Sequence, residues 1–379
     1  MRELSRLLCA IHIKYHPFCA VFFVMTVLAA STANQAWGTI YKAIDLNPSG
    51  FHAEAYGISG TQQVGDGKGG HALLWSGSAA SCVDLNPSGF DMSEACGTNG
   101  TQQVGWGTGI ATRGRLHALL WSGTAGSYVD LHPSGFDASW AQGINGTQQV
   151  GVGWGPGGCP GGPEHALLWS GSAASYIDLH PSGFDYSEAW GTNGTQQVGC
   201  GYGSIVESDH ALLWSGSAAS YVDLNPSGFD SSWAFGINGT QQVGLGWGLP
   251  TDGNIHALLW SGSADNFIDL NPSGFDHSEA LGTNGTQQVG LGFGSATGGN
   301  DHFHALLWNG SADSYIDLSQ FLPTGSGISS ANAIDGYGNI VGFADDSSGS
   351  RHAILWKPVP EPATLFLLGL GAVMLRRKR

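Results

Sequence analysis

Apolar and polar positions along this chain follow one short pattern, copied almost from end to end. A Gln-Gln-Val core centres on Val64, Val104, Val150, Val198, Val243 and Val289, with a degenerate Asn-Ile-Val at Val341. A His-Ala-Leu-Leu-Trp run begins at His71, His117, His165, His210, His256 and His304, and His-Ala-Ile-Leu-Trp begins at His352. An Asp-Leu pair begins at Asp45, Asp84, Asp130, Asp178, Asp223, Asp269 and Asp317. The histidines step by 45 to 48 residues, a period that predicts a repeat architecture.

One unit shows the expected elements. Glu188-Ala-Trp-Gly-Thr reads as a short strand a, and Asn193-Gly194 as a hairpin turn. Thr195-Gln-Gln-Val-Gly reads as strand b, His210-Ala-Leu-Leu-Trp-Ser as strand c, and Ser220-Tyr-Val-Asp-Leu224 as strand d. Asn225-Pro-Ser-Gly then supplies turn chemistry. Four short antiparallel strands per unit match a propeller blade. Strand c is apolar on both faces, which suits a blade packed between two neighbours.

The chain begins with a d-type strand, Ile40 to Leu46, and ends with a, b and c strands, Ala331 to Trp356. Together these complete one blade. The expectation is an all-β, seven-bladed β-propeller of four-stranded blades, closed by the N-terminal strand, with no sheet edge left open between blades. From Val to His the spacing varies from 7 to 15 residues, whereas His to the next Val is 33 in every copy but the last. Length variation therefore sits in the b–c loops, on one face of the ring, where binding is expected.

Composition sharpens this picture. The 61 glycines fit a turn-rich all-β chain. Residues 34–357 hold six basic and 27 acidic residues, hence a net charge of −21, which disfavours nucleic acid and anionic membranes as partners. Cys82, Cys96, Cys159 and Cys200 allow three disulfide pairings between which the sequence does not choose. No zinc-type spacing is present.

The ends read as processing segments. Arg2, Arg6 and Lys14 precede an apolar run from Phe18 to Ala30 and then Ser31-Thr32-Ala33, so residues 1–33 are expected to be a signal peptide. Residues 37–357 form the repeat domain. In 358–379, Val359-Pro-Glu-Pro362 is followed by an apolar stretch and Arg376-Arg-Lys-Arg379.

That tail resembles the PEP-CTERM sorting signal. The resemblance implies export by a Gram-negative bacterium that makes extracellular polysaccharide, processing by an exosortase-type enzyme, and membrane contact only through the C-terminal transmembrane-like segment before processing. The repeats resemble the HAF-type extracellular repeat, echoed in His165 to Trp169, Asp178-Leu179 and Gly143-Ile-Asn145. This chain departs from it with Leu where that motif has Phe, and with Pro-Ser-Gly-Phe in its turn. That family implies an exported protein of undefined activity.

A histidine and an aspartate in every repeat belong to the blade, the His bonding a neighbouring turn and the Asp capping the Pro-Ser-Gly turn. Calcium is the one cofactor considered, between pairs such as Asp223 and Asp230, without the loop spacing that calcium motifs carry. Non-repeated chemistry is richer in the b–c loops. Trp154, Tyr202, Trp247 and Phe293 lie four residues past their valines, and Trp106 two past. Flat rings suit the CH-rich faces of sugars. Glu164, Glu207, Asp209, Asp252 and Asp301 follow in the same loops, able to accept hydroxyls or to form a glycosidase-like acid and base pair. The function expected is a non-catalytic surface or matrix protein that binds polysaccharide through this face. A polysaccharide-acting propeller enzyme and a purely structural coat protein are the alternatives.

Overall fold

The computed structural model describes residues 40–47, 52–67, 69–157 and 162–359. They form seven four-stranded antiparallel sheets. The inner strands are Glu54–Ser59, Met92–Thr98, Ala138–Asn145, Tyr186–Thr192, Phe229–Asn238, His277–Thr283 and Ser329–Ile334. Each contacts the next, and the last contacts the first, so the seven surround an axis. The seventh sheet runs in the order Ile40–Asp45, Arg351–Val359, Ile340–Asp345, Ser329–Ile334. The N-terminal strand is therefore its outer strand and closes the ring, as the unpaired termini of the sequence require.

The His-Ala-Leu-Leu-Trp strand explains how the blades stack. Ala211 and Leu213 pack with Ala234, Leu258 and Trp260 of the next blade. Leu212 and Trp214 face the other way, against Val150, Ala166 and Leu168 of the blade before. The seven repeated tryptophans are fully buried. Each buried Leu contributes on the order of 1.5–3 kcal/mol. Gly199 has to be glycine, because a Cβ there would sit 1.8 Å from the Glu188 carbonyl oxygen. That crowding accompanies a β-bulge between Ala189 and Gly191, a device that re-aims side chains.

The outer strands are shorter than the repeat suggests. In the fourth blade only Val222–Asp223 pairs, and Ala218–Ser220 forms a 3-10 turn instead. Ser220 causes this: its hydroxyl donates to the Ser217 carbonyl at 2.6 Å and accepts the Ser215 N–H at 2.8 Å. The repeated Asp caps the following turn, as expected, with Asp223 Oδ1 accepting the Asn225 N–H at 2.8 Å. The repeated His bonds that same Asp, and in three blades its Nε2 also meets the Asn side chain that opens the turn, as His210 does with Asn225 at 3.2 Å. All seven Nδ1–Oδ2 distances are 2.7–2.8 Å. The seventh, His352 to Asp45, joins the two ends of the propeller.

The a–b hairpins alternate. Blades one, three, five and seven turn after Ile58, Ile144, Ile237 and Ile334, whereas two, four and six turn after Thr98, Thr192 and Thr283. Each even blade ties both neighbours. Thr192 Oγ1 and Gln197 Nε2 donate to Gln148 Oε1 of the blade before, at 3.2 and 3.0 Å. Asn193 Nδ2 donates to the Gly239 carbonyl of the blade after, at 3.0 Å. Blades two and six repeat this. Three even blades thus latch six interfaces. Seven is odd, so one interface joins two like blades, and it is the seam between blade seven and blade one. A second tie is missing there too. At the other six interfaces a strand-c alanine N–H donates to a serine hydroxyl, as Ala166 does to Ser187 at 3.1 Å. Blade one has Ala53 at that position, without a hydroxyl to offer.

Candidate functional site

The b–c loop end of the inner strands carries the chemistry. The residue before the inner alanine is Glu54, Glu94, Trp140, Glu188, Trp233, Glu279 or Ser330 in blade order. Bulging brings the residue after that alanine alongside: Trp190 Nε1 donates to Glu188 Oε2 at 3.0 Å, and Cys96 Sγ donates to Glu94 Oε1 at 3.4 Å. Acids and aromatic rings therefore share one level of the ring. Trp190 meets Trp233 and Phe235 of the next blade, with ring centres 6.1 and 5.1 Å apart. Trp140 donates its indole N–H to Cys96 Sγ at 3.1 Å. These tryptophans are half-buried.

Spacing from the repeated valine does not single out this set. The signal was present in the alternation of Ser-Glu-Ala with Ser-Trp-Ala, at Glu94, Glu188 and Glu279 against Trp140 and Trp233. Its weight was hidden because strand a looked like ordinary core.

The rings expected to be ligand platforms fall into different settings. Trp106 packs edge-on against Trp140 at 5.8 Å, and Trp247 against Trp233 at 6.1 Å, so both join the inner set. Tyr202 stacks on Tyr186 at 5.7 Å and keeps 38% of its surface exposed. Phe293 lies between His277 and Phe303, each 4.8 Å away. Trp154 is enclosed, 6% exposed, against Ala138 and Val152, with Leu116 and Trp140 beside it. Of the loop acids, Asp209 accepts the Tyr186 hydroxyl. Glu164 hydrogen-bonds Glu188. Glu207 and Asp252 are exposed, in left-handed backbone. The side chain of Asp301 lies outside the described residues.

Burial sets the electrostatics. Glu94 is pushed up to about 7 by burial, helped by the charge of Asp66. Glu188 is pushed up to about 7 by burial and then by Glu164. Asp66 rises to about 6 by burial, against the hydrogen bond it accepts from Tyr56. Such shifts mark candidate sites as well as structural networks.

The seam adds a polar cleft of about 380 Å³ at the same end, lined by residues that include His52, Glu54, Asp66, Asp345 and Arg351. Asp66 stands where other blades place Trp106, Val152, Cys200, Leu245, Leu291 and Phe343. Arg351 bonds Glu54 and Asp345 and lies 3.8 Å over the Phe343 ring. The b–c loop of blade one is the shortest of the seven, with a step of seven positions from Val64 to His71.

Both oxygens of the repeated aspartates are engaged, as at Asp223. Among the described residues no group of three or more His, Cys, Asp or Glu side chains is placed to hold a metal ion. Cys82, Cys96 and Cys200 are free thiols, and Cys159 lies outside the described residues. Burial pushes the Cys96 and Cys200 thiols well up, so they are poor nucleophiles. No described helix is long and apolar enough to cross a membrane. The expected signal peptide and C-terminal apolar stretch lie outside the described residues.

Comparison with known proteins separates fold from tail. Residues 358–379 match the PEP-CTERM protein-sorting motif, a signal that marks a protein for export to the surface of a Gram-negative bacterium and for an exosortase-type enzyme. The last propeller strand runs to Val359 and so overlaps the start of that motif. No curated protein matches the chain. Among solved structures, the β-propeller domain of the Trilobed protease from Pyrococcus furiosus is similar at a TM-score of 0.52 and 8% identity, over 82% of this chain and 96% of that one. An oligogalacturonate lyase in complex with manganese is similar at 0.50 and 12%, over 86% and 95%. A puromycin-hydrolyzing peptidase from Mycobacterium tuberculosis is similar at 0.51 and 11%, over 82% of this chain and 53% of that chain. At such identities the likeness is one of fold alone.

Proposed function

We propose that this chain is an exported, non-catalytic surface or matrix protein that binds polysaccharide at the b–c loop end of its ring. The carrying observation is the juxtaposition of accessible aromatic rings with carboxylates at that end. The stacked Tyr186–Tyr202 pair has Asp209 on the Tyr186 hydroxyl. Trp190 is hydrogen-bonded to Glu188. Rings offer faces to sugar CH groups, and carboxylates accept sugar hydroxyls. The sorting motif and the HAF-like repeats support a surface location, in which residues 1–33 are removed and the ring from 37 onward is the working part.

A second reading has one observation in its favour. Glu188, pushed up to about 7 and bonded to Glu164, is a carboxyl able to hold and release a proton near neutrality. One experiment treats both. The full chain is titrated with neutral and acidic polysaccharides, and sugar chain length is followed in parallel. Binding that falls at least tenfold in Tyr202→Ala with unchanged melting supports the binding reading. Retained binding in that variant removes the ring pair from it. Chain shortening by the wild type that disappears in Glu188→Gln makes the protein an enzyme and overturns the non-catalytic assignment.

A further inference from the structure

The seam differs from the other interfaces in how it is held, and the closing strand joins the first blade covalently to the last sheet. In the other six blades the outer strand pairs over two or three residues. The closing strand pairs over six, from Ile40 with Val359 to Asp45 with Ile354. Tyr41 is buried and packs its ring against Phe321, 5.9 Å away. Asp45 takes the His352 hydrogen bond at 2.8 Å. These contacts belong to blade seven, whereas the chain that follows the strand builds blade one.

We propose that Ile40–Asp45 is exchanged between copies of this chain, the partner at the seam being the last blade of a second copy. Exchange of an identical element reproduces every contact in trans, so its cost lies in what opens within one copy. Three features lower that cost, while the apolar packing around Trp75 and the Arg351–Glu54 pair still have to open. The seam lacks the amide latch. It lacks the alanine-to-serine tie. Cavities of about 280 Å³, beside Ala43 and Asp45, and about 330 Å³, beside Lys357, flank the strand and its partner. The other outer strands cannot be exchanged in this way, since each is continuous with its own blade through a short turn. An open exchange, each copy giving its strand to the next, builds a chain of propellers that presents a row of identical loop faces. This assembly does not depend on what those faces bind.

Lys42 and Lys357 are Cα partners in the register and both are exposed. The variant Lys42→Cys/Lys357→Cys, in a chain whose six native cysteines are changed to serine, therefore traps the pairing as a disulfide wherever it forms. The full chain is unfolded, refolded at low and at high concentration, oxidised, and separated without reductant. Expected is a ladder of covalent multimers at high concentration, several-fold weaker when refolding is dilute and absent from Lys42→Cys and Lys357→Cys alone. Covalent monomer only, at every concentration, overturns the proposal. Light scattering of the unmodified chain supplies a readout that needs no disulfide. A single monomeric mass after refolding at high concentration likewise overturns it.

Discussion

The interface between blades three and four and the seam between blades seven and one are built from the same repeat, yet they are fastened by different bonds. The first is tied at its turn end by Thr192 and Gln197 on Gln148, and toward its loop end by Ala166 on Ser187. The seam has neither tie. It is held at its loop end by the Arg351–Glu54 ion pair, and by Asn332 Nδ2 donating to the Ala55 carbonyl at 3.0 Å. Apolar packing is shared by both: Trp75 is as fully buried at the seam as Trp214 is elsewhere. An alternating repeat cannot close an odd ring without one mismatch. This protein places the mismatch where the chain ends meet, and there Arg351 pairs with Glu54.

The largest test asks whether the apolar contribution is equal at the two interfaces. Trp214→Ala and Trp75→Ala should each cost about 3–5 kcal/mol in denaturant unfolding. A markedly smaller loss for Trp75→Ala would show that the seam is loosely packed as well as unlatched.

The next test uses pH. The folded-state pKa values of Glu94 and Glu188 are raised, so their protonated forms favour the native state. That stability is fully present below their unfolded pKa, near 4.3, and is lost as pH rises through about 7. Asp130, Asp178 and Asp317 behave oppositely: burial opposes ionisation, but the His and backbone hydrogen bonds outweigh it and hold them low. Their contribution is lost only as pH falls below the usual carboxylate range. Melting temperature should therefore decline from pH 5 to pH 8. Glu94→Gln and Glu188→Gln should each flatten that decline by roughly 2 kcal/mol. An unchanged slope would mean those carboxyls are better solvated than their burial implies.

The smallest expected effect isolates the latch. Asn193→Ala removes the bond to Gly239 and three acceptor contacts at Asn193 Oδ1, and should cost about 1 kcal/mol. Asn145→Ala, in the odd type of turn, should cost less than half of that. Equal losses would remove the distinction between the two kinds of blade.

The candidate site was only partly legible. Trp106 and Trp247 could be picked from spacing because aromatic residues among glycines stand out. Their partners Trp140 and Trp233 could not, since a tryptophan beside a buried alanine reads as core. Trp154 shows the reverse: the same spacing as Tyr202, yet enclosed because Leu116 and Trp140 happen to flank it. A residue's distance from the valine sets its level on the strand, but its neighbours come from the adjacent blade.

The sequence by itself determined the number of blades, the four-strand unit, the face that carries variable loops and the closing role of the first strand. All of these follow from periodicity and from termini that are incomplete alone. It also contained the alternation of turns that follow Ile with turns that follow Thr. Only the tertiary structure decided what that alternation does, because hydrogen bonds such as Asn193 to Gly239 join residues 46 apart whose contact depends on how adjacent blades stack. Closure likewise decided that Glu54, Asp66 and Arg351, drawn from the two ends of the chain, would share one cleft. Local pattern specifies a blade; the meeting of blade seven with blade one is a property of the whole ring.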